Sequence, residues 1–538
     1  MSSTDVRLSS RSAIRRCALR LAYCAAIAAF LWAFARFYQP GTGFSYLIDF
    51  GAQQGRPQIS EMEGLDYSLQ AHGFGYDAQY YVQLAMHPSL RDPELPAAID
   101  SLSYRARRIL FCWTAYTLGL GQPQWILQAY AVQNAVAWLA LAGVLLWWFP
   151  PVSWNNFLRW AGVLFCAGMC ASVRNALVDG PSLLILAIGL MYLEKNRRWL
   201  AAAMLGVGAL GRETNLLGAA AFLNPERRTF GPTTRLLAQG LLIAAPLAAW
   251  LAYIHFTVGS SINAGSGNFS LPFVGYIDKW RETVTGLSLD GRMVEPGRLN
   301  LLLLVALSTQ FLFLLLRPMI RQPWWRVAAC YALLMVFLGS APWEGHPSAA
   351  GRLLLPMQLA FNVLVPRTRR WLVVLVLGNI TVIGAPLMLA PPTGAAYEVT
   401  RAANLDSAAS QIRVEFDASW FGAEKRGERT WRWARHTASL SIFNRHEHAL
   451  RTDVSFFIDT LEPRQITIRQ RDQLVWSENV NGEMAHPVVL SDLELQPGEN
   501  RFTFSTEEPP DRPANWDDRP LSFSLRNLAI HLSPAATP

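Results

Sequence analysis

Long apolar runs, separated by short polar turns, fill the first 390 positions. The run Leu21–Phe37 and the runs Trp125–Phe149, Leu236–Thr257 and Leu299–Leu316 are almost free of charge. They approach or exceed the ~20 residues a helix needs to cross a bilayer. Shorter apolar runs lie between and after them: Asn156–Ala171, Pro181–Leu193, Trp199–Gly211, Asn215–Leu223, Val327–Gly339, Leu353–Val365 and Trp371–Leu389. Together they predict eleven helical spans. Several fall short of a full crossing: about 13 residues at ~1.5 Å per residue reach only ~20 Å of a ~30 Å hydrocarbon core. Short helices of this kind need protein around them or a cavity at their ends. After about residue 390 the period changes. Gln411–Phe416, Thr437–Phe443, Asp453–Asp459, Arg464–Arg469, Gln473–Ser477, Val488–Leu493, Asn500–Ser505 and Leu521–Leu532 alternate as short strands, with turn signals such as Asn481-Gly482 and Pro497-Gly498 between some of them. The pattern predicts a polytopic α-helical membrane domain, 1–390, followed by an all-β sandwich, 391–538.

Charge placement gives the expected orientation. Arg7, Arg11, Arg15, Arg16 and Arg20 precede the first span. Further basic clusters follow at Lys195, Arg197 and Arg198, at Arg227, Arg228 and Arg235, at Arg317, Arg321 and Arg326, and at Arg367, Arg369 and Arg370. By the positive-inside rule these turns are cytoplasmic, the loop 38–123 is outside, and an odd number of spans leaves the β-domain outside as well. The net charge of +8 is thus spent on orientation, and no continuous basic face points to nucleic acid. With 51% hydrophobic residues and 20 tryptophans, the composition excludes an ordinary soluble enzyme. The six cysteines lie in or beside apolar runs without a CxxC, so neither a zinc nor a redox motif is present.

On the outer face this topology gathers Asp49, Glu61, Glu63 and Asp77, then Tyr104, Arg105, Arg107 and Arg108, then Arg174, Asp179, Arg212, Glu213, Glu344, His346 and Arg352. Transfer of a sugar from a phosphate-linked lipid needs a carboxylate to take the acceptor proton, and cations to stabilise the departing phosphate. Arginine suits the second task because its planar fork binds phosphate oxygens in pairs. Each residue also has a plainer reading. Asp77 suits the N-cap of the helix that follows it. Arg212 and Glu213 suit an internal ion pair, and Asp179-Gly180-Pro181 suits a turn. His346 before Pro347 suits a loop. Trp420, Trp431 and Trp433 suit sugar stacking or sandwich packing equally.

Tyr76-Asp77-Ala78-Gln79-Tyr80-Tyr81, followed by Leu84-Ala85, resembles the aspartate–aromatic motif in the first outer loop of GT-C membrane glycosyltransferases, in its mannosyltransferase-like form. Tyr104-Arg105-Ala106-Arg107-Arg108 is similar to a Tyr-Arg-x-x-Arg segment of bacterial relatives linked to cell-surface glycopolymers. Asp179-Gly180-Pro181, Gly211-Arg212-Glu213-Thr214 and Gly351-Arg352-Leu353-Leu354-Leu355-Pro356 resemble later turns of the family, in order. The resemblance implies Asp77 as the catalytic carboxylate, with Asp49 a second candidate. It implies substrate contacts from Tyr76, Gln79, Tyr80, Tyr104, Arg105, Arg108, Asp179, Arg212, Glu213, His346 and Arg352. It further implies a polyprenyl-phosphate sugar donor, a cell-envelope glycan or glycolipid acceptor, and transfer with inversion at the outer face of a bacterial inner membrane. A divalent ion, Mg or Mn, stays open, since some members of the class use one and others do not. Two other classes fit the outline: a transporter of a lipid-linked sugar, and a non-catalytic glycan-assembly factor. The first favours repeated halves and midplane charges, and the second has no need of outward acid–arginine pairs.

Overall fold

The computed structural model describes residues 3–39, 41–51, 55–70, 75–223, 233–259, 266–288, 295–345, 348–390, 397–401, 412–426, 429–482, 485–512 and 519–533. Its N-terminal part is helical and its C-terminal part is built of β-sheets.

Each of the eleven apolar runs forms helix, but they do so in three ways. Arg16–Ala35, Pro123–Leu145, Thr234–Thr257 and Gly297–Leu316 are long and apolar enough to cross a membrane. Trp154–Leu164 with Ala167–Arg174, and Arg369–Gly378 with Ile380–Met388, make two more if each pair is one span, bent by 45° and 49°. The remaining five are short: Asp179–Glu194, Arg198–Gly211, Glu213–Phe222, Pro323–Phe337 and Leu355–Leu364. Glu213–Phe222 is a 3-10 helix and not an α-helix. By length and composition the described residues thus hold four to six spans, against eleven expected from hydropathy alone. A run of 14 residues such as Arg198–Gly211 rises only ~21 Å; Trp199 and Leu200 at its start are exposed, while its C-terminal end, Gly208–Gly211, is buried in the protein. Those inner ends are where the polar residues collect.

Buried amides tie the late helices to one another. Gln358 Nε2 donates to Asn379 Oδ1 at 2.6 Å and to Gly162 O at 3.1 Å. Asn362 and Asn379 exchange side-chain hydrogen bonds, each at 2.9 Å. Gln310 Nε2 donates to Gln358 Oε1 and, at 2.8 Å, to Gly378 O. Asn379 itself leaves helical geometry at φ −116°, which is where the second bent pair breaks.

Close packing also sets the position of one functional segment. Gly168, on the helix Ala167–Arg174, lies against the backbone of Gly351, and a Cβ there would come within 2.2 Å of the Gly351 oxygen. The short helix Ala350–Leu353, which carries Arg352, is seated by that contact. Gly168→Ala should destabilise the protein by about 1–3 kcal/mol, the usual cost of overpacking. Gly143→Ala, where a Cβ would meet nothing within 4 Å, should be neutral or stabilising. Melting temperatures of the purified variants in detergent check the pair.

The β-domain is a two-sheet sandwich. One sheet orders Gln473–Val480, Arg464–Gln470, Gly498–Ser505, Ala438–Asn444 and Ile412–Phe416. The other orders His486–Leu495, Leu450–Thr460, Phe523–Ser533, Arg429–Ala434 and Glu424–Arg426, with Tyr397–Arg401 parallel to Phe523–Ser533. Leu450–Thr460 alternates buried and outward positions along its whole length, as a strand with one core face must. All eight strands expected from the sequence are present. Tyr397–Arg401, Glu424–Arg426 and Arg429–Ala434 were not foreseen, being short or irregular in pattern. Trp420 is fully buried against Phe416, Phe504 and Phe523, and its indole nitrogen donates to Ser439 O at 2.9 Å. Core packing accounts for it, so the sugar-stacking reading fails at that residue. Arg445 of the sandwich pairs with Asp66 of the first loop at 2.5 Å.

Candidate active site

The aspartate motif is set by the turn before it. Gly75 takes φ 72°, where a side chain would be strained and would also meet Gln79. Tyr76 N then donates to Asp49 O at 2.9 Å, and the helix Ala78–Met86 begins. Asp77 occupies the N-cap position, yet its side chain makes no capping hydrogen bond. Its Oδ1 accepts instead from Arg105 Nη1 at 2.9 Å. The plainer reading of Asp77 as a cap is therefore not what the carboxylate does.

Arg105 is itself held from behind. Asp100 takes its Nε and Nη2 in a two-point contact, at 2.9 and 2.7 Å, leaving Nη1 for Asp77. The rings of Tyr80, Tyr81 and Tyr104 lie 5.2, 5.7 and 5.9 Å from its guanidinium. Burial alone would raise the Asp77 carboxyl, but Arg105, Arg352 and Arg108 outweigh it and hold the group below its usual range. A carboxylate depressed in this way is ionised at neutral pH and loses its charge only as pH falls through the lowered value. If Asp77 acts as a base, the acid limb of the rate profile should therefore stay flat through the ordinary carboxylate range and fall beneath it. Arg105→Gln removes the main attraction and should move that limb to higher pH, which a pH–rate series on the two proteins measures.

Asp77 faces a cavity of about 780 Å³, and Tyr76, Tyr104, Arg105, Arg108, Asp179, Arg212, Glu213 and Arg352 share its wall. Residues far apart in the chain meet there. Arg352 Nη2 donates to Tyr76 Oη at 2.7 Å, and Arg352 Nη1 to Asp179 Oδ2 at 3.1 Å. Arg212 Nη1 contacts Asp179 Oδ1, so one carboxylate with 1% exposure serves two guanidiniums. Glu213 does not pair with its neighbour Arg212. It accepts from Arg108 Nε at 3.1 Å, while Arg108 also donates to the hydroxyls of Tyr81 and Tyr104, both at 3.0 Å. The expected internal Arg212–Glu213 pair is replaced by two pairs across the cavity. Phe269, Leu334, Leu338 and Leu353 form an apolar wall beside these charges.

Gln79 and Tyr80 are not on the cavity wall. Gln79 is buried, and its Oε1 accepts from Gly51 N at 3.3 Å, fastening the first loop to the helix. Tyr80 reaches the site only through its ring beside Arg105. Asp49, the second candidate for the base, also lies off the wall. Burial raises its carboxyl, with Arg174 opposing. His346 lies outside the described residues. Four wall or supporting residues had no assigned role in the sequence: Asp100, Tyr81, Arg107 and Asn268. Tyr81 and Arg107 stood inside the quoted motifs. Nothing in the spacing marked Asp100, or Asn268, whose Nδ2 donates to Tyr104 Oη at 3.2 Å from 164 positions away. Arg107 stacks on Tyr104 at 5.5 Å and has no carboxylate partner among the described residues. The wall carries five arginines (105, 107, 108, 212, 352) and four carboxylates (77, 179, 213, 344), an excess of one positive charge.

Arginines already engage three carboxylates of the cavity: Arg105 meets Asp77 Oδ1, Arg212 and Arg352 meet Asp179, and Arg108 meets Glu213. Among the described residues one group of three potential ligands comes together, Glu61, His87 and Asp92, and none of them lines the cavity.

No protein-family model and no curated protein matches the chain. Among solved structures it is similar to the cryo-EM structure of arabinosyltransferase EmbB from Mycobacterium smegmatis. The identity is 11%, the alignment covers 94% of this chain and 64% of that one, and the TM-score is 0.35. The crystal structure of a Podospora anserina GH26-CBM35 β-(1,4)-mannanase aligns over 23% of this chain and 25% of its own at 14% identity, with a TM-score of 0.15. The structure of TmCBM61 in complex with β-1,4-galactotriose aligns over 23% and 88% at 14% identity, with a TM-score of 0.16. The chain thus spans a quarter of the mannanase and less than two thirds of the arabinosyltransferase. Scores this low carry no weight for fold or activity.

Proposed function

We propose that the chain is a GT-C type membrane glycosyltransferase, moving a sugar from a polyprenyl-phosphate donor to a cell-envelope glycan or glycolipid. The observation that carries this reading is the state of Asp77. Its carboxylate is released from helix capping, kept ionised by Arg105, and turned to a cavity whose wall carries five arginines. In the proposed reaction the acceptor hydroxyl gives its proton to Asp77 as its oxygen attacks the anomeric carbon. The bond from that carbon to the phosphate oxygen breaks, and polyprenyl phosphate leaves with the electron pair. Negative charge grows on the phosphate, where Arg107, Arg108, Arg212 and Arg352 are the candidate stabilisers. Attack opposite the leaving group inverts the sugar. Phe269, Leu334, Leu338 and Leu353 supply an apolar wall suited to the first isoprene units.

The orientation belongs to the same proposal. An odd number of crossings, with the basic turns in the cytoplasm, would put the first loop, the cavity and the sandwich outside a bacterial inner membrane. The test is transfer itself. Membranes holding the protein are supplied with labelled polyprenyl-phosphate sugars, and label is followed into envelope material. Label that becomes covalently attached to acceptor supports the transferase. Label that crosses the bilayer still joined to its lipid supports a transporter and ends this reading.

A further inference from the structure

Asp77 opens the helix Ala78–Met86, and at the other end of that helix three side chains from separate parts of the first loop converge. His87 follows the helix directly, Glu61 belongs to the 3-10 turn Ser60–Met62, and Asp92 lies in the turn beyond. Their ligand atoms all lie within 4.8 Å of one another. His87 Nε2 is 2.8 Å from Glu61 Oε1 and 3.8 Å from Asp92 Oδ2. Metal bonds of about 2.1 Å in a tetrahedral arrangement hold neighbouring ligand atoms about 3.4 Å apart, between these two separations.

Two further observations point to a ligand. His87 Nε2 is sealed from solvent, and what faces it is a pair of carboxylate oxygens, Glu61 Oε1 and Asp92 Oδ2. Each carboxylate also has its other oxygen occupied. Ser60 Oγ donates to Glu61 Oε2 at 3.4 Å, and Glu94 N donates to Asp92 Oδ1 at 2.8 Å. Outer donors of this kind orient the remaining oxygens, here Oε1 and Oδ2, toward a shared centre.

We propose that Glu61, His87 and Asp92 bind one divalent transition-metal ion of the Zn²⁺ class, with a fourth position open to water. An imidazole with two carboxylates is a nitrogen–oxygen set that favours zinc over magnesium or calcium. None of the three residues lines the cavity, so the ion clamps and does not react. It joins the turn Ser60–Met62 to the C-terminal end of a nine-residue helix whose N-terminal end presents Asp77. The site stands independently of the proposed transfer reaction.

The full-length protein in detergent is stripped with EDTA, desalted and titrated with ZnCl₂ alone, reading bound metal and melting temperature together. About one zinc per chain is expected, with melting raised by several degrees once zinc is well above its dissociation constant. Magnesium at the same concentration should leave melting unmoved. His87→Ala and Glu61→Gln should each lose the bound zinc and the rise. Glu61→Gln is nearly isosteric and decides alone if His87→Ala does not accumulate. Zinc content far below one equivalent in the wild type, an undiminished rise in Glu61→Gln, or an equal response to magnesium would each overturn the proposal.

Discussion

Asp77→Asn should lower sugar transfer by about 10²–10⁴-fold, the range over which a positioned base usually contributes. The substitution is chosen because the amide oxygen can still accept from Arg105 Nη1, which now bonds Oδ1 at 2.9 Å. The helix Ala78–Met86 takes no side-chain cap from this residue, so the fold loses little. What disappears is the negative charge and the capacity to take a proton. The fall should therefore appear in kcat, with KM for the lipid-linked donor little changed. Equal transfer by a well-expressed Asp77→Asn protein would remove Asp77 from the role and turn attention to Asp49 or Glu63. That outcome would sit badly with both structurally, since Asp49 and Glu63 lie off the cavity wall.

Asp179→Ala has the largest expected effect on stability. The carboxylate has 1% exposure and is the shared counter-ion of Arg212 and Arg352. Removing it leaves two guanidiniums with little water and no partner at that point. Breaking a buried pair from one side typically costs about 3–5 kcal/mol. Arg352→Gln added to Asp179→Ala should recover part of the loss, because one of the two unmatched charges is then gone. Arg352→Gln alone should destabilise, since it breaks the pair from the other side. The four proteins form a double-mutant cycle in melting temperature, and strict additivity would show that Asp179 and Arg352 do not act together.

The sequence made some of this legible and hid the rest, for physical reasons. Hydropathy located the helices of the eleven apolar runs, because such runs must be helical to satisfy their backbone in lipid, but not Leu110–Leu118 or Val274–Ser288, which lie in stretches read as outer loops. It does not separate a helix long enough to span from a shorter one such as Arg198–Gly211 or Glu213–Phe222, so eleven apolar runs stand beside four to six helices or bent pairs long enough to cross among the described residues. Asp77 and the arginine-bearing turns were legible as short motifs. Their pairing was not. Arg212 and Glu213 are adjacent, yet each takes a partner from elsewhere: Asp179, 33 residues earlier, and Arg108, 105 residues earlier. Asp100 was invisible for the same reason, since holding Arg105 from behind leaves no periodic trace. In the sandwich, alternation found the long strands, while Arg429–Ala434 escaped because its tryptophans fit two readings.

The buried amides of the late helices bear on how the chain is made. Gln310 sits on one helix and Gln358 and Asn362 on a later one; they bond to each other and to Gly162, but their bonds to Gly378 and Asn379 close only when that last segment has arrived. A nascent chain ending near residue 364 has two amide-bearing helices whose partners at Gly378 and Asn379 are still unsynthesised. In lipid each unmatched amide is costly, and the order of synthesis leaves this polar seam incomplete until Asn379 has been made.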